Sequence, residues 1–284
     1  MMNEKFCLIL FLFLFLFPRQ SFAQNKIDFQ SPTNVRLFAD YLFCQKDYLR
    51  AYNEYKAYLK NSFSDSVEFK SAVALQKIGS YEEAIKLFNR MPDSSVFYSD
   101  SKEEYFRTLF LKKDFAGLQS ISLNADSTTF LTRLNRISLL YTENNFPPEN
   151  NFIRPFQQDE KSFIKKFYEW KIDPPYKNPL IAAILSAMVP GLGKVYTENY
   201  TDGLFAAILT GLFGYIAYTD FKADHKVRAW IFTGVSAFFY TGNIYGSVAS
   251  AQIYNARIKF NFESDLHDFL EAFHYLSGIY NFCK

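Results

Sequence analysis

The chain has 284 residues and carries 31 Lys and Arg against 29 Asp and Glu, a formal net charge of +2. That balance, without a basic stripe, leaves nucleic acid no electrostatic footprint to hold. Aromatic residues are the unusual ingredient: 33 Phe and 20 Tyr raise the aromatic share to 19%, which suits both packed helices and membrane interfaces. The length fits two domains.

Residues 1–23 read as a signal peptide. A short polar start carrying Lys5 precedes an unbroken apolar run of 12 residues, Phe6 to Phe17. This is too short to cross a hydrocarbon core of roughly 30 Å. Pro18 breaks the run, and Ser21 and Ala23 supply the small residues that a signal peptidase reads, so cleavage is expected before Gln24. An uncleaved anchor is the alternative. No Cys follows the run, which argues against lipoprotein processing. Cleavage removes Cys7 and leaves Cys44 and Cys283, far apart in sequence, in different predicted domains and without metal-ligand spacing. Export would permit a disulfide, but the separation predicts two unpaired, partly buried thiols.

An internal period marks the region from about Ser31 to Leu123, within a predicted repeat domain over 24–143. Lys46-Asp47-Tyr48-Leu49-Arg50-Ala51 matches Gly79-Ser80-Tyr81-Glu82-Glu83-Ala84, and Lys113-Asp114-Phe115-Ala116-Gly117-Leu118 follows; Tyr48, Tyr81 and Phe115 are 33 and 34 residues apart. That period belongs to the tetratricopeptide repeat, a helix-turn-helix unit. Ala39 and Ala72 let the first helix of each pair approach its partner, and Ala51 and Ala84 admit the second, with Tyr55 and Phe88 next along the seam. The third unit is degenerate, because Phe106 and Leu118 replace small residues. An ordinary antiparallel helical bundle is the plainer alternative. One further helix is predicted over Thr128–Thr142 and a loop over Asn144–Asn151. The linker, 144–178, contains an amphipathic helix from Asp159 to Trp170 whose Phe163, Phe167 and Trp170 pack on protein or rest at a membrane surface. Pro174-Pro175 then stiffens the chain.

Composition changes abruptly over 179–256, which reads as a membrane-embedded helical domain. No charge occurs from Asn178 to Gly193, from Gly203 to Thr219, or through the 25 residues Ala229 to Ile253, the last long enough to span with some tilt. A very apolar soluble bundle is the alternative. Small residues recur every fourth position at Gly203, Ala207 and Gly211 and at Gly242, Gly246 and Ser250, lining a face for close helix contact and possible self-association. Asn243 and Gln252 should point inward, since lipid cannot satisfy them.

Ser186-Ala187-Met188-Val189-Pro190-Gly191-Leu192-Gly193-Lys194-Val195-Tyr196 resembles the P-G-x-G-Q-x-Y signature of small bacterial hydrophobic domains, distantly like two-transmembrane hairpin proteins. Asp202-Gly203 and Gly242-Asn243-Ile244-Tyr245-Gly246 resemble that group as well, although Lys194 stands where it usually has Gln. The resemblance implies an architecture, often joined to tetratricopeptide repeats in exported bacterial proteins, and no transferable activity. Pro190, Gly191 and Gly193 should bend the first apolar helix, and Lys194 and Tyr196 should sit at the interface. No phosphate-loop spacing is present.

Over 257–284 an amphipathic C-terminal helix is predicted, with Phe262, Leu266, Phe269, Phe273 and Leu276 on one stripe and Gly278 ending it. His267 and His274 lie two turns apart but have no further convergent ligand. The expected fold class is therefore all-α, tetratricopeptide-like helical repeats followed by a small helical membrane domain. No nucleophile–base constellation, metal set or cofactor motif points to an enzyme; neither cofactor nor metal is expected. The expected function is a scaffold in the bacterial cell envelope, in the inner membrane, with its repeats outside the cytoplasm and gripping a protein or peptide. By tetratricopeptide register, Arg36, Asp40, Phe69, Gln76, Lys77 and Arg107 would face that partner. An accessory role in membrane-protein insertion or a small transport assembly is the second reading. The loop Asp220–Arg228, with Lys222, Lys226 and Arg228, favours a cytoplasmic turn between two crossings; three crossings would invert it.

Overall fold

The computed structural model describes residues 28, 30–122, 129–142, 146–280 and 282–283; the predicted signal peptide and its cleavage point lie outside them. These residues are all-α, without strands, and form two compact units. One takes the described residues up to Tyr98 together with Phe282 and Cys283, the other Ser99–Tyr280.

The first unit contains α1 (Pro32–Cys44), α2 (Tyr48–Leu59), α3 (Asp65–Lys77) and α4 (Tyr81–Asn89). Ser31 and Asp47 cap α1 and α2 by accepting from the amides of Asn34 and Arg50, which satisfies donors that helix geometry leaves free. Ala39, Ala51, Ala72 and Ala84 are all buried, with Tyr55 and Phe88 sealed beside them. Small side chains at those points let the backbones close up, and the aromatics fill what remains. Tyr55 donates to Asp40 (2.7 Å), and Lys70 donates to the same carboxylate (2.7 Å), so one acid ties three helices.

One backbone turn recurs. Lys46, Gly79 and Lys113 each take a left-handed φ, of 63°, 80° and 63°. The next residue's amide reaches back to the helix in each case: Asp47 to Leu42 (2.9 Å), Ser80 to Leu75 (2.9 Å) and Asp114 to Leu109 (2.9 Å). This Schellman geometry closes off the orphan carbonyls at a helix end. Its recurrence at the sequence period gives the repeated hexapeptide a physical meaning.

The expectation of free thiols is overturned: Cys44 and Cys283 are disulfide-bonded, with Cα atoms 5.6 Å apart despite a sequence separation of 239. Phe282 seats its ring on Phe43 (5.8 Å) and Phe69 (6.0 Å), with the Lys70 ammonium over it at 5.3 Å. The tail therefore belongs to the first unit's core, a return that sequence distance conceals.

The second unit holds α5 (Tyr98–Leu111), α6 (Phe115–Ser122), α7 (Phe130–Tyr141), α8 (Glu149–Ile153), α9 (Lys161–Ile172), α10 (Pro179–Met188), α11 (Leu192–Tyr196), α12 (Tyr200–Lys222) and α13 (Lys226–Ala272). The expected loop over Asn144–Asn151 is shorter than predicted, since Pro148 starts α8. The span and the amphipathic C-terminal helix, read separately, are one continuous helix of 47 residues, about 70 Å at 1.5 Å per residue. Position 256/257 falls in its interior. Phe262, Leu266 and Phe269 are buried. Trp170 stacks on Phe262 at 4.0 Å, and Phe163 and Phe167 meet Phe269 at 5.9 and 5.6 Å. The α9 aromatics thus pack on protein.

α13 stops at Ala272, before Gly278, because His274 turns left-handed (φ 59°) and Tyr275 donates back to Leu270 (2.8 Å). The following segment threads a buried polar knot. Arg107 pairs with Glu104 and donates to the Tyr275 carbonyl (3.2 Å), while its guanidinium lies over Phe130. Tyr275 donates to Glu160 (2.6 Å) and Tyr280 to Glu104 (2.6 Å). Burial first, and then these carboxylates, push both phenols well above their usual range.

Two outcomes follow from this packing. Ala84→Trp should overfill its seam and cost about 1–3 kcal/mol in denaturant unfolding, whereas Trp at exposed Glu83 should change little. Above a pH near 10.0, the ordinary phenol value, the unfolded chain releases tyrosine protons that the folded chain keeps, so stability should fall as pH rises. Tyr275→Phe should flatten that fall, read as denaturant midpoints from about pH 8 to about pH 11.

Candidate functional site

Of the residues expected to face a partner, Arg36 and Lys77 are exposed. Phe69, Gln76 and Arg107 are buried and cannot present a surface. Phe69 is a core ring against Phe88 (5.8 Å) and Phe97 (5.3 Å), and Arg107 belongs to the other unit, inside the polar knot. Asp40 is half-buried under Tyr55 and Lys70. Helix register finds a face but does not tell which side of the helix the next pair will cover. Leu49, Phe63, Ile78 and Val96 are exposed elsewhere in the first unit, while three exposed apolar residues, Leu37, Phe38 and Tyr41, lie together on α1. Beside them a groove of about 740 Å³ is lined by Val35, Phe38, Glu54 and Tyr58, among others.

The membrane-type motif makes a joint. α10 ends at Met188, and Gly191 takes φ 89°, a conformation that L side chains avoid. A Cβ on Gly191 would strike the Gly203 carbonyl, and one on Gly193 would strike the Ala182 carbonyl and the Ser186 hydroxyl. Pro190-Gly191 and Gly193 therefore end one helix and fold the next against it, while Gly203 brings in α12. The Lys194 stem lies on Gly246. Tyr196 accepts from the Asn178 amide (3.2 Å) under the Lys177 ammonium (5.1 Å to its ring). Tyr245 is 78% exposed and takes no part in the joint.

A polar seam runs beside the joint along α13. Ser186 and Ser247 share a hydrogen bond (2.6 Å), and Ser186 also accepts from the Gly193 amide (3.0 Å). Thr197 meets Ser250 (2.6 Å), Tyr254 donates to Glu198 (3.2 Å), and Asn255 exchanges two bonds with the Lys177 backbone (2.8 and 2.9 Å). Sequence reading singled out neither Ser186 nor Ser247 as a contact. The signal was there: Asn243, Ser247, Ser250 and Tyr254 recur at steps of three and four, one face of a helix. Gln252 falls off that face and is exposed, contrary to expectation.

Asn243 is buried at 3% exposure, yet neither its amide nitrogen nor its amide oxygen has a hydrogen-bond partner among the described residues. It lines an open cleft of about 340 Å³ with Lys194, Asp202, Gly242 and the apolar Phe205, Leu209, Phe238 and Phe239. At the far end of the α12–α13 pair, Arg228 makes a two-pronged bond to Asp220 (2.7 and 3.2 Å). No group of three His, Cys, Asp or Glu among the described residues could hold a metal. His274 lies beyond the helix that carries His267, so the two do not share a face.

The glycine joint yields a direct test. Gly193→Ala should cost about 1–3 kcal/mol or more by overpacking. Gly211→Ala, where an added Cβ meets nothing within 4 Å, should gain about 0.5–1 kcal/mol of helix stability. Thermal melts of the detergent-solubilised protein measure both, and equal melting of the two variants would sink the joint.

No protein-family model, curated protein or solved structure matches this chain.

Proposed function

We propose that the chain is a non-catalytic scaffold of a bacterial cell envelope, with a tetratricopeptide-like partner-binding unit outside the cytoplasm and a two-crossing helical hairpin as its membrane anchor. The observation that carries this reading is α12. Among the described helices it alone is long and apolar enough to cross a membrane, and its most apolar window is only 11% buried within the protein. A soluble core helix would hide that surface; here Leu204, Phe205, Ile208 and Leu212 face outward, as lipid contact requires.

The run Ala229–Ile253 does not reach the same apolarity, because Asn, Ser, Thr and Tyr are uncharged but polar. Asn243, Ser247 and Ser250, however, are buried along the seam, and Trp230, Ile231, Phe238 and Ile253 face outward beside the exposed Thr241, Tyr245 and Gln252. That pattern suits the returning leg of a hairpin. α10, with 10 residues, is about 15 Å long, half a hydrocarbon core, and fits an interfacial or re-entrant role.

The disulfide supports the even count. Cys44 and Cys283 are covalently joined, so both lie on one side of any bilayer, and the chain between them crosses it an even number of times. Disulfides persist in oxidising compartments, which favours the outside for both ends of that loop. Transport is the weaker reading, since Ser186, Ser247, Thr197 and Ser250 bond to one another and leave no chain of free hydroxyls for a solute. The partner-binding surface suggested by this reading is the α1 groove, with Leu37, Phe38 and Tyr41 exposed beside it.

Single cysteines at Ala223 and Lys60, in a Cys7→Ser chain that keeps the disulfide, test the arrangement. An impermeant thiol reagent applied to intact cells should label position 60 and spare position 223 until the membrane is opened. Labelling at 223 with protection at 60 would reverse the orientation. Labelling of both in intact cells would remove the hairpin.

A further inference from the structure

The cleft around Asn243 has the chemistry of a ligand site, and no group in the protein uses it. Its amide offers two donors and an acceptor, is nine-tenths buried and has no partner. Most buried polar groups are satisfied; Asn243 has both ends of one amide empty beside an open cleft, which points to something that enters from outside. A lone amide could be met by water, but the surroundings ask for more. Lys194 supplies a cation and Asp202 an anion on the same cleft wall, while Phe205, Leu209 and Phe238 supply an apolar slot. Asp202 has one oxygen engaged by Asn199 (2.9 Å) and the other open to a second donor. Phe205 and Phe238 are largely exposed, so the slot runs out to the surface that the hairpin presents to lipid.

We propose that this cleft binds an aminophospholipid, with Lys194 on the phosphodiester, Asp202 on the headgroup ammonium, an acyl chain along Phe205 and Leu209, and the Asn243 amide, sealed from solvent in the empty cleft, turning to bond the ester and phosphate oxygens. Charge complementarity selects this occupant. Phosphatidylglycerol would meet the Asp202 carboxylate without an ammonium to offset it, and a trimethylated headgroup has no N–H to give that carboxylate. Depth agrees with this assignment. α12 and α13 are antiparallel about the turn at Ala223–His225, so Asn243 lies level with the start of α12, where a headgroup meets the hydrocarbon. The inference rests on the hairpin reading for its access to lipid. It also accounts for Lys194, whose chain end lies on Gly246 at the lining of the cleft.

The test uses the full chain in a mild detergent, offered phosphatidylethanolamine, phosphatidylglycerol and phosphatidylcholine of matched acyl chains, with bound lipid counted by native mass spectrometry. Phosphatidylethanolamine should be retained at least about tenfold over the other two, the ratio that one charge-assisted hydrogen bond sustains. Asn243→Leu should lose that retention without lowering the melting temperature, because it removes an unsatisfied buried group while keeping the volume. Asp202→Asn should bind phosphatidylglycerol as well as phosphatidylethanolamine. Soluble glycerophosphoethanolamine at equal concentration should not displace the lipid; displacement would reassign the cleft to a water-soluble zwitterion and overturn the lipid proposal. Equal retention of all three lipids, or unchanged selectivity in both variants, would also overturn it. Thiol labelling at positions 60 and 223 is independent of these readings, so loss of lipid selectivity with the expected labelling discards the cleft assignment alone.

Discussion

The second unit depends on one constraint: a single helix, α13, is far longer than any one partner, so each stretch of it must find a different cover. Nothing in Lys226–Ala272 interrupts the backbone ladder, and Pro is absent from it. Its first half lies along α12 and meets α10 and α11 through hydroxyls and glycines. Its second half meets α9 through stacked aromatics. The two kinds of packing differ for a physical reason. Small residues and hydrogen-bonded Ser and Thr suit close backbone approach where the hydrophobic effect is weak, and large rings suit burial from water. Aromatic pairs are not confined to the second half, since Phe213 on α12 stacks on Phe239 (5.4 Å) and Phe232 (6.1 Å); the hydroxyl and glycine contacts mark the stretch against α10 and α11.

The alpha-helical class, the buried alanines of the first unit and the glycine joint were all legible in the sequence, because each depends on local spacing. Ala51 and Ala84 are readable from their distance to the turn, and the left-handed turns at Lys46, Gly79 and Lys113 recur with that spacing. Gly191 and Gly193 could be read as a bend for the same reason. What was not legible is long-range. The bond of Cys44 to Cys283 depends on where the tail returns. The burial of Phe69 depends on Phe97 and Phe282, which no helix period connects to it. Arg107 looked like an exposed cation because its partners, the Tyr275 carbonyl and the Phe130 ring, come from distant segments. Gln252 and Asn243 are equally polar, and only the placement of α10–α12 decides which of them is covered.

The polar content of Ala229–Ile253 also shows why composition misjudges a helix in company. Averaged over its whole circumference, the segment is moderately polar. Divided by face, Asn243, Ser247 and Ser250 are buried on one side, and aromatic and branched residues share the other with Thr241, Tyr245 and Gln252. Helices of this kind are stable in lipid only beside their partners, since the seam must be satisfied before the outer face is tolerated. In a bilayer, the α10–α11 joint and α12 would be conditions for the placement of α13, and not accessories to it.

The return of Phe282 and Cys283 into the first unit has a consequence for how the protein is made. The ribosome delivers α1–α4 early, but one ring and one covalent bond of that unit arrive some two hundred residues later. Between those events the rings of Phe43 and Phe69 lack one neighbour, and the Cys44 thiol is exposed to other oxidants. The earlier of the two units is thus completed only after the later one has been synthesised, because the loop between Cys44 and Cys283 contains it.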